Sequence, residues 1–378
     1  MIPNNQKIVD AVRLVDHPTP YFYTSKAVLR HNYHTFSSLF GESGVYYAIK
    51  ANADPKVITY LAELGSGFEA ASQFEIELLL QLGVDPTKII YGTSVKPADH
   101  IKHAFNNGID RFAADSKEEI EKIAANAPGA KVFVRAQVDD MGSVFTFSER
   151  FGAPIETLKE LILLIHQLGL KTYGVSFHVG SQATNEYRWS NAINIIRPVI
   201  EQLMAEGITL EMIDIGGGFP VVYYNHQNVP HLPEIVSHIE NSLDMLPYLP
   251  KIIIEPGRGI IANATVLVSE VISRTVRGGK VWLCLDAGIY NALYEAMIHQ
   301  GSTQYTVHPF AAKSQKVDFM HATLAGPTGD SLDIIGRDVV LPAYIGVGDR
   351  LIFENTGAYT VTMSSPFNGF PKPELYIN

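Results

Sequence analysis

The sequence predicts a parallel (β/α)₈ barrel followed by a mainly antiparallel β domain, and three observations carry that expectation. Short apolar, β-rich runs alternate with amphipathic helical runs up to about residue 260, and eight such pairs fit a parallel barrel because each parallel return needs a crossover helix. Beyond residue 262 the texture changes to β runs joined by short turns. A chain of 378 residues is long enough for a barrel of about 250 residues plus a smaller domain. The expected division places the barrel at 26–262 and the β domain at 1–25 and 263–378.

In chain order, Pro20-Tyr21-Phe22-Tyr23 reads as a strand ahead of the first helix. Apolar runs at 45–49, 67–70, 89–92, 110–113, 131–136, 172–178, 211–215 and 251–254 supply the eight barrel strands. Helical periodicity fits 25–39, 55–64, 73–82, 98–106, 116–125, 155–168, 187–206 and 231–245, with Gly or Pro between them. In the β domain, strands are expected at 264–276, 280–285, 338–341, 349–354 and 357–362, and the tail through Glu374-Leu375-Tyr376-Ile377 reads as ordered.

Composition narrows the function. The chain is 46% hydrophobic and 18% charged, as expected of a compact enzyme-like protein, and its net charge of −10 argues against nucleic acid or an anionic membrane as a partner. Cys284 is the single cysteine, which excludes an internal disulfide and a cysteine-based zinc site and points to a reducing cytoplasm. The first residues lack the apolar core of a signal peptide, and no run approaches a membrane span.

In a barrel the reacting groups lie where strands end. Val45-Tyr46-Tyr47-Ala48-Ile49 runs into Lys50, an amine at a strand end. Either it reaches solvent along its own stem, or burial lowers its pKa and fits it to act as a nucleophile or Schiff-base lysine. Glu69, Arg135, His178, Gly216 and Glu255 fall at the ends of other strands, so one pocket collects them. Asp214-Ile215-Gly216-Gly217-Gly218 places three glycines directly after a strand, where backbone N–H groups close around a phosphate, and Arg258 follows the next strand. Glu255 is either a partner for Arg258 or the carboxylate that keeps a pyridine nitrogen protonated, as pyridoxal phosphate (PLP) requires. No second His or carboxylate stands at metal-ligand spacing near His178, which favours a ring stacked on a planar cofactor over a metal ligand.

Tyr47-Ala48-Ile49-Lys50-Ala51-Asn52, Ser176-Phe177-His178-Val179-Gly180-Ser181, Asp214-Ile215-Gly216-Gly217-Gly218-Phe219-Pro220, Glu255-Pro256-Gly257-Arg258, Gly326-Pro327-Thr328 and Gly357-Ala358-Tyr359-Thr360 stand in an order that resembles fold-type III PLP-dependent decarboxylases. The resemblance is to the ornithine/lysine/arginine branch and covers nearly the whole chain. It implies an alanine-racemase-like barrel with a β domain, acting as a homodimer with sites at the subunit interface. It also implies decarboxylation of a basic amino acid, ornithine or lysine, to a diamine on the route to polyamines. By position, Lys50 resembles the Schiff-base lysine, His178 the ring-stacking residue, Glu255 the pyridinium partner and Arg135 a polar neighbour of the ring. Ser181, Gly217, Gly218, Gly257, Arg258 and Tyr359 match cofactor contacts. Glu69 stands where relatives carry Asp.

For the substrate, the resemblance implies Asp286 facing the distal ammonium, the alternative being a turn residue before glycine. Asp330 resembles an aspartate donated by the neighbouring subunit, Phe367 a further substrate contact, and Arg150 with Asp333 a pair across the interface. Gly329 is the large departure, since relatives carry there a cysteine implicated in returning a proton to Cα. The alternatives this raises are a different proton donor, a specialised decarboxylase of a larger conjugate, or decarboxylation-dependent transamination. A catalytically silent regulator is a further reading, opposed by the retained Lys50, Glu255 and Arg258.

Overall fold

The computed structural model describes residues 6–41, 44–147, 149–298, 303–311 and 317–378. Eight parallel strands form the barrel: Tyr46–Ala48, Gly67–Ala70, Ile89–Tyr91, Arg111–Ala114, Lys131–Arg135, Lys171–Ser176, Met212–Asp214 and Lys251–Ile253. Last and first strands meet through Tyr46 N–H to Ile254 O (2.9 Å) and Ile254 N–H to Gly44 O (2.9 Å), which brings the sheet's edges together. All eight expected helices are present, from Lys26–Phe40 to Leu232–Leu243. Their starts follow local chemistry: the Ser25, Asp54, Ser72 and Ser116 side chains each accept a backbone N–H of the first turn, satisfying donors that the helix itself leaves unpaired.

Strand burial explains the near-continuous apolar runs. Tyr47, Phe68, Phe112, Val132 and Val175 are fully buried against the helical ring, while Tyr46, Ile90, Ala113, Phe133, Tyr173, Met212 and Ile253 pack inside the barrel. Both faces of each strand are therefore dry. That interior plug makes the barrel a packed scaffold rather than a pore and leaves the strands' C-terminal ends to carry polar groups.

A second sheet of eight strands orders Val307–Pro309, Arg350–Phe353, Thr265–Arg277, Lys280–Leu285, Phe319–Ala325 and Ile334–Pro342 along its path. Tyr21–Thr24 joins it antiparallel to Thr265–Arg277 and parallel to Glu374–Ile377, so both ends of the chain are tied into one edge. The sheet is mixed, because Lys280–Leu285 and Phe319–Ala325 run parallel. Sequence reading misses Val307–Pro309, a short edge strand containing proline, and Phe319–Ala325, where His321 interrupts the apolar run.

Residues 357–362 are a correction. They are not a strand: Tyr359 adopts φ 56°, and a 3₁₀ turn occupies Val361–Met363. Tyr359 N–H donates to Ala51 O (2.7 Å), and Thr362 Oγ1 donates to Lys50 O (3.0 Å). The segment thus leaves the β domain to cover the end of the first barrel strand. A side chain at Gly357 would collide with the Ile261 carbonyl, which explains the glycine where the two layers touch.

Candidate active site

Lys50 lies in the 3₁₀ turn Ile49–Ala51 that directly follows the first barrel strand. Its Nζ donates to Glu69 Oε2 at 2.7 Å; the Glu69 side chain is 3% exposed and that of Lys50 40%. The amine therefore opens toward the barrel mouth from a buried anchor. Here the expectation of a lowered lysine pKa is corrected: burial pulls the amine down, but the Glu69 and Glu255 carboxylates and Tyr359 outweigh it, and the net direction is up. The added methylene of Glu69 does not cost it contact with the lysine.

His178 presents a neutral ring. Gly180 N–H donates to its Nδ1 at 3.1 Å, leaving the ring proton on Nε2. Burial, reinforced by the Arg135 and Lys50 cations, holds its pKa well below the ordinary value. Phe147 packs edge-on at 5.3 Å between centroids.

Glu255 follows the eighth strand and Asp214 ends the seventh. Asp214 is fully buried and Glu255 half-buried, each lies in the other's field, and their carboxyl groups are within hydrogen-bonding reach. Burial followed by that mutual repulsion raises Glu255 well above the usual carboxylate range. Burial raises Asp214 as well, opposed by the bond to Glu255 and by Gly216 N–H, which donates to Oδ1 at 2.9 Å. Arg135, itself lowered by burial, lies in the field of Glu255, Asp115, Glu69 and Asp214.

The triple-glycine turn packs against the same residues. A Cβ at Gly217 would lie 2.5 Å from Glu255 O and 3.4 Å from His178 Nε2, and Gly216 and Gly218 take φ of 68° and 93°. Glycine is thus needed here for close approach as well as for backbone conformation. Arg258 is 4% exposed, donating to both Glu295 oxygens (2.7 and 2.8 Å), to Tyr223 Oη (2.8 Å) and to Ser181 Oγ (3.2 Å). Tyr359 places its ring 4.9 Å from the guanidinium. Glu295, not Glu255, is therefore the partner of Arg258. Gly257 packs against Ala51, with 2.8 Å from an added Cβ to the Ala51 Cβ, which holds the eighth strand's loop against the first.

Three sequence-predicted residues gather elsewhere in the chain. Tyr290 Oη donates to Asp330 Oδ2 at 3.0 Å and its ring lies 4.5 Å from Phe367, which is 41% exposed; neighbouring Gly329 is exposed, with open space around an added Cβ. Among the described residues, no hydrogen bond or ring contact ties Asp330 or Phe367 to Lys50, His178 or Glu255. Two further candidates have partners within the chain. The Asp286 carboxylate accepts from Ser269 Oγ (2.6 Å) and Glu270 N–H (2.9 Å), which ties it to the neighbouring strand of the second sheet. Asp333 is 2% exposed and accepts from Ile289 N–H, Thr328 N–H and Thr328 Oγ1, which closes its own loop, while Arg150 lies over Phe151.

Sequence reading also assigned no role to Asp214, Tyr223 or Glu295. Asp214 stood inside a recognised motif, next to the glycines. Glu295 lies in the short turn Tyr294–Ala296, in a stretch without periodicity, and only the fold carries it to Arg258.

The residues present fit PLP. Gly217 brings the backbone turn close to His178 and Glu255 where any side chain would clash, an amine opens onto the same mouth, and an acid pair with one member fully buried suits a basic ring nitrogen. Barrel and site together define the class of PLP-dependent barrel enzymes. The family profile described as pyridoxal-dependent decarboxylase, pyridoxal binding domain, matches residues 26–262. A lysine/ornithine decarboxylase of Selenomonas ruminantium is 35% identical over 93% of this chain and 88% of its own length. Antizyme inhibitor 2 of Xenopus laevis is 34% identical over 88% of this chain and 75% of its own. A crystal structure of lysine/ornithine decarboxylase complexed with cadaverine from Vibrio vulnificus superposes with a TM-score of 0.88 at 30% identity, covering 99% of this chain and 98% of that one. The chain belongs to the pyridoxal-dependent decarboxylase family, in its ornithine/lysine/arginine branch, and is an amino-acid decarboxylase that uses PLP.

Proposed function

We propose that this protein removes the α-carboxyl group of ornithine or lysine and releases the diamine. The observation that carries the reading is the Lys50–Glu69 pair in the mouth that also holds His178, Glu255 and the glycine turn. PLP, when bound, supplies a cationic ring that accepts the electron pair left as carbon dioxide departs. Lys50 is the amine that holds the cofactor between turnovers, and Glu69 governs its protonation. Glu255 holds a proton at the ring nitrogen, and the flat face of His178 covers the ring. Ser181, Gly217, Gly218, Arg258 and Tyr359 form the phosphate end, with Glu295 and Tyr223 setting the direction of the Arg258 fork. Arg135 balances the charge of the acid pair.

Asp330, Phe367 and Gly329 belong, in this reading, to the site of a second copy, which makes the functional unit a homodimer in the cytoplasm. Their grouping on the β domain, apart from Lys50, supports it. Open space at Gly329 is the one observation favouring a larger substrate or a diverted outcome. Purified protein should absorb in the visible, and borohydride should fix PLP to Lys50 by peptide mass; Lys50→Ala should do neither. A panel of basic amino acids, followed for carbon dioxide, amine and cofactor form, tests the rest. Diamine with PLP retained is expected; aldehyde with the pyridoxamine form would establish transamination instead, and colourless protein would indicate a silent regulator.

A further inference from the structure

Glu69, Asp214 and Glu255 stand with two cations, Lys50 and Arg135, at the barrel mouth, and Asp115 lies in the field of Arg135 as well. Carboxyl groups outnumber cations in a setting where burial penalises uncompensated charge. Asp214 is 0% exposed; Oδ1 is satisfied by Gly216 N–H, and Oδ2 has no donor other than what the adjoining Glu255 carboxyl brings. Two adjacent buried carboxyl groups cannot both ionise without such a donor, and one proton between them supplies it.

We propose that Asp214 and Glu255 share one proton in the cofactor-free protein and that this proton passes to the pyridine nitrogen when PLP binds, with Asp214 acting as a positioning residue for Glu255. The inference rests on the PLP reading of the site. Charge and atoms balance: a carboxyl O–H bond breaks and an N–H bond forms, and the neutral ring nitrogen becomes cationic as the acid pair becomes doubly anionic. The arriving positive charge then takes over the role of the departing proton. Glu255 faces the pyridinium, and Asp214 keeps the Gly216 N–H and the field of Arg135. The site thereby carries its own acid for the ring, and the groups that face the pair are Lys50, Glu69 and Arg135, with no other cation needed.

The test is infrared difference spectroscopy of the full chain, stripped of cofactor and then reloaded with PLP. A carboxylic-acid C=O band, shifted in heavy water, is expected in the stripped protein near neutral pH and lost on reloading. Asp214→Asn keeps the Gly216 contact but removes the neighbouring charge, so the band titrates away at lower pH than in the wild type. Glu255→Gln gives an independent check with the same expected downward shift. A stripped wild-type protein without the band, or with a band that persists unchanged once visible absorbance shows PLP bound, overturns the proposal; this wild-type comparison needs no variant to fold. Failure of the wild-type protein to bind PLP at all would refute the cofactor reading itself.

Discussion

Residue 69 is one methylene longer than the aspartate of the resembled family, and its carboxylate still meets Lys50 at 2.7 Å. Because the carboxylate is buried and the amine half-open, water screens the amine's side of the pair and the effect shows in protonation more than in stability. A lysine raised in this way stays charged until high pH, and an ammonium does not attack an aldehyde. We expect Glu69→Gln to lower the amine's pKa, so that the rate of PLP uptake, followed by visible absorbance across pH, reaches its half-maximum at lower pH than in wild type. An unchanged profile would show that Glu69 does not control the amine. At Gly217 the constraint is steric. Gly217→Ala sets a methyl against the Glu255 carbonyl and beside His178, and overpacking of about 1–3 kcal/mol should weaken PLP binding about tenfold to hundredfold, read by equilibrium titration.

Among the elements, the loops after the sixth and eighth strands and the segment around Tyr359 are joined by one guanidinium. Arg258 and Glu295 are 4% and 3% exposed, and their ion pair is bidentate. Removing one member leaves the other charged and dry, so Glu295→Leu should cost about 3–5 kcal/mol in chemical unfolding of the cofactor-free chain. A second tie holds the loop after the third strand to the fourth: Lys96, with its side chain fully buried, donates to Thr93 O (2.8 Å) and Ala113 O (2.6 Å) and forms an ion pair with Glu119 Oε1 at 3.0 Å. Burial, reinforced by the Lys122 cation and only partly offset by Glu119, lowers its pKa from 10.5 to about 8. The unfolded chain therefore binds the extra proton between those values, and stability attributable to Lys96 rises with pH across that window. Unfolding free energies of wild type minus Lys96→Met should accordingly increase from pH 8 to pH 10.5; a flat difference would mean that the lysine is not desolvated.

For the whole molecule, the decisive expectation is a site completed by two copies. Mixing inactive Lys50→Ala and inactive Asp330→Ala proteins, with time for subunits to exchange, should restore decarboxylation, because one hybrid site then has both residues. No recovery despite exchange would confine the site to a single chain. Within the single chain, much of the barrel is legible in the sequence. Alternating apolar runs and helical periods located all eight barrel strands and their helices, since burial on both strand faces leaves an unmistakable composition. Strand-end positions also located Lys50, Glu69, Arg135, His178 and Glu255, because a barrel sends the residues at its strand ends to one rim. Short edge strands such as Val307–Pro309 and the left-handed bend at Tyr359 left no comparable pattern.

The sequence by itself determined the barrel, the amine, the acid opposite and the glycine turn, since each is written in local periodicity or in a motif of adjacent residues. Tertiary structure alone decided who pairs with whom. Glu295 reaches Arg258 across 37 positions, Asp214 meets Glu255 across the seventh and eighth strands, Asp286 accepts from Ser269 and Glu270 on the neighbouring strand, and Asp333 from Ile289 as well as Thr328. The reason is physical: a carboxylate's role depends on the charges and donors within a few ångströms of it, and in a chain folded through long-range strand pairing those neighbours are distant in sequence.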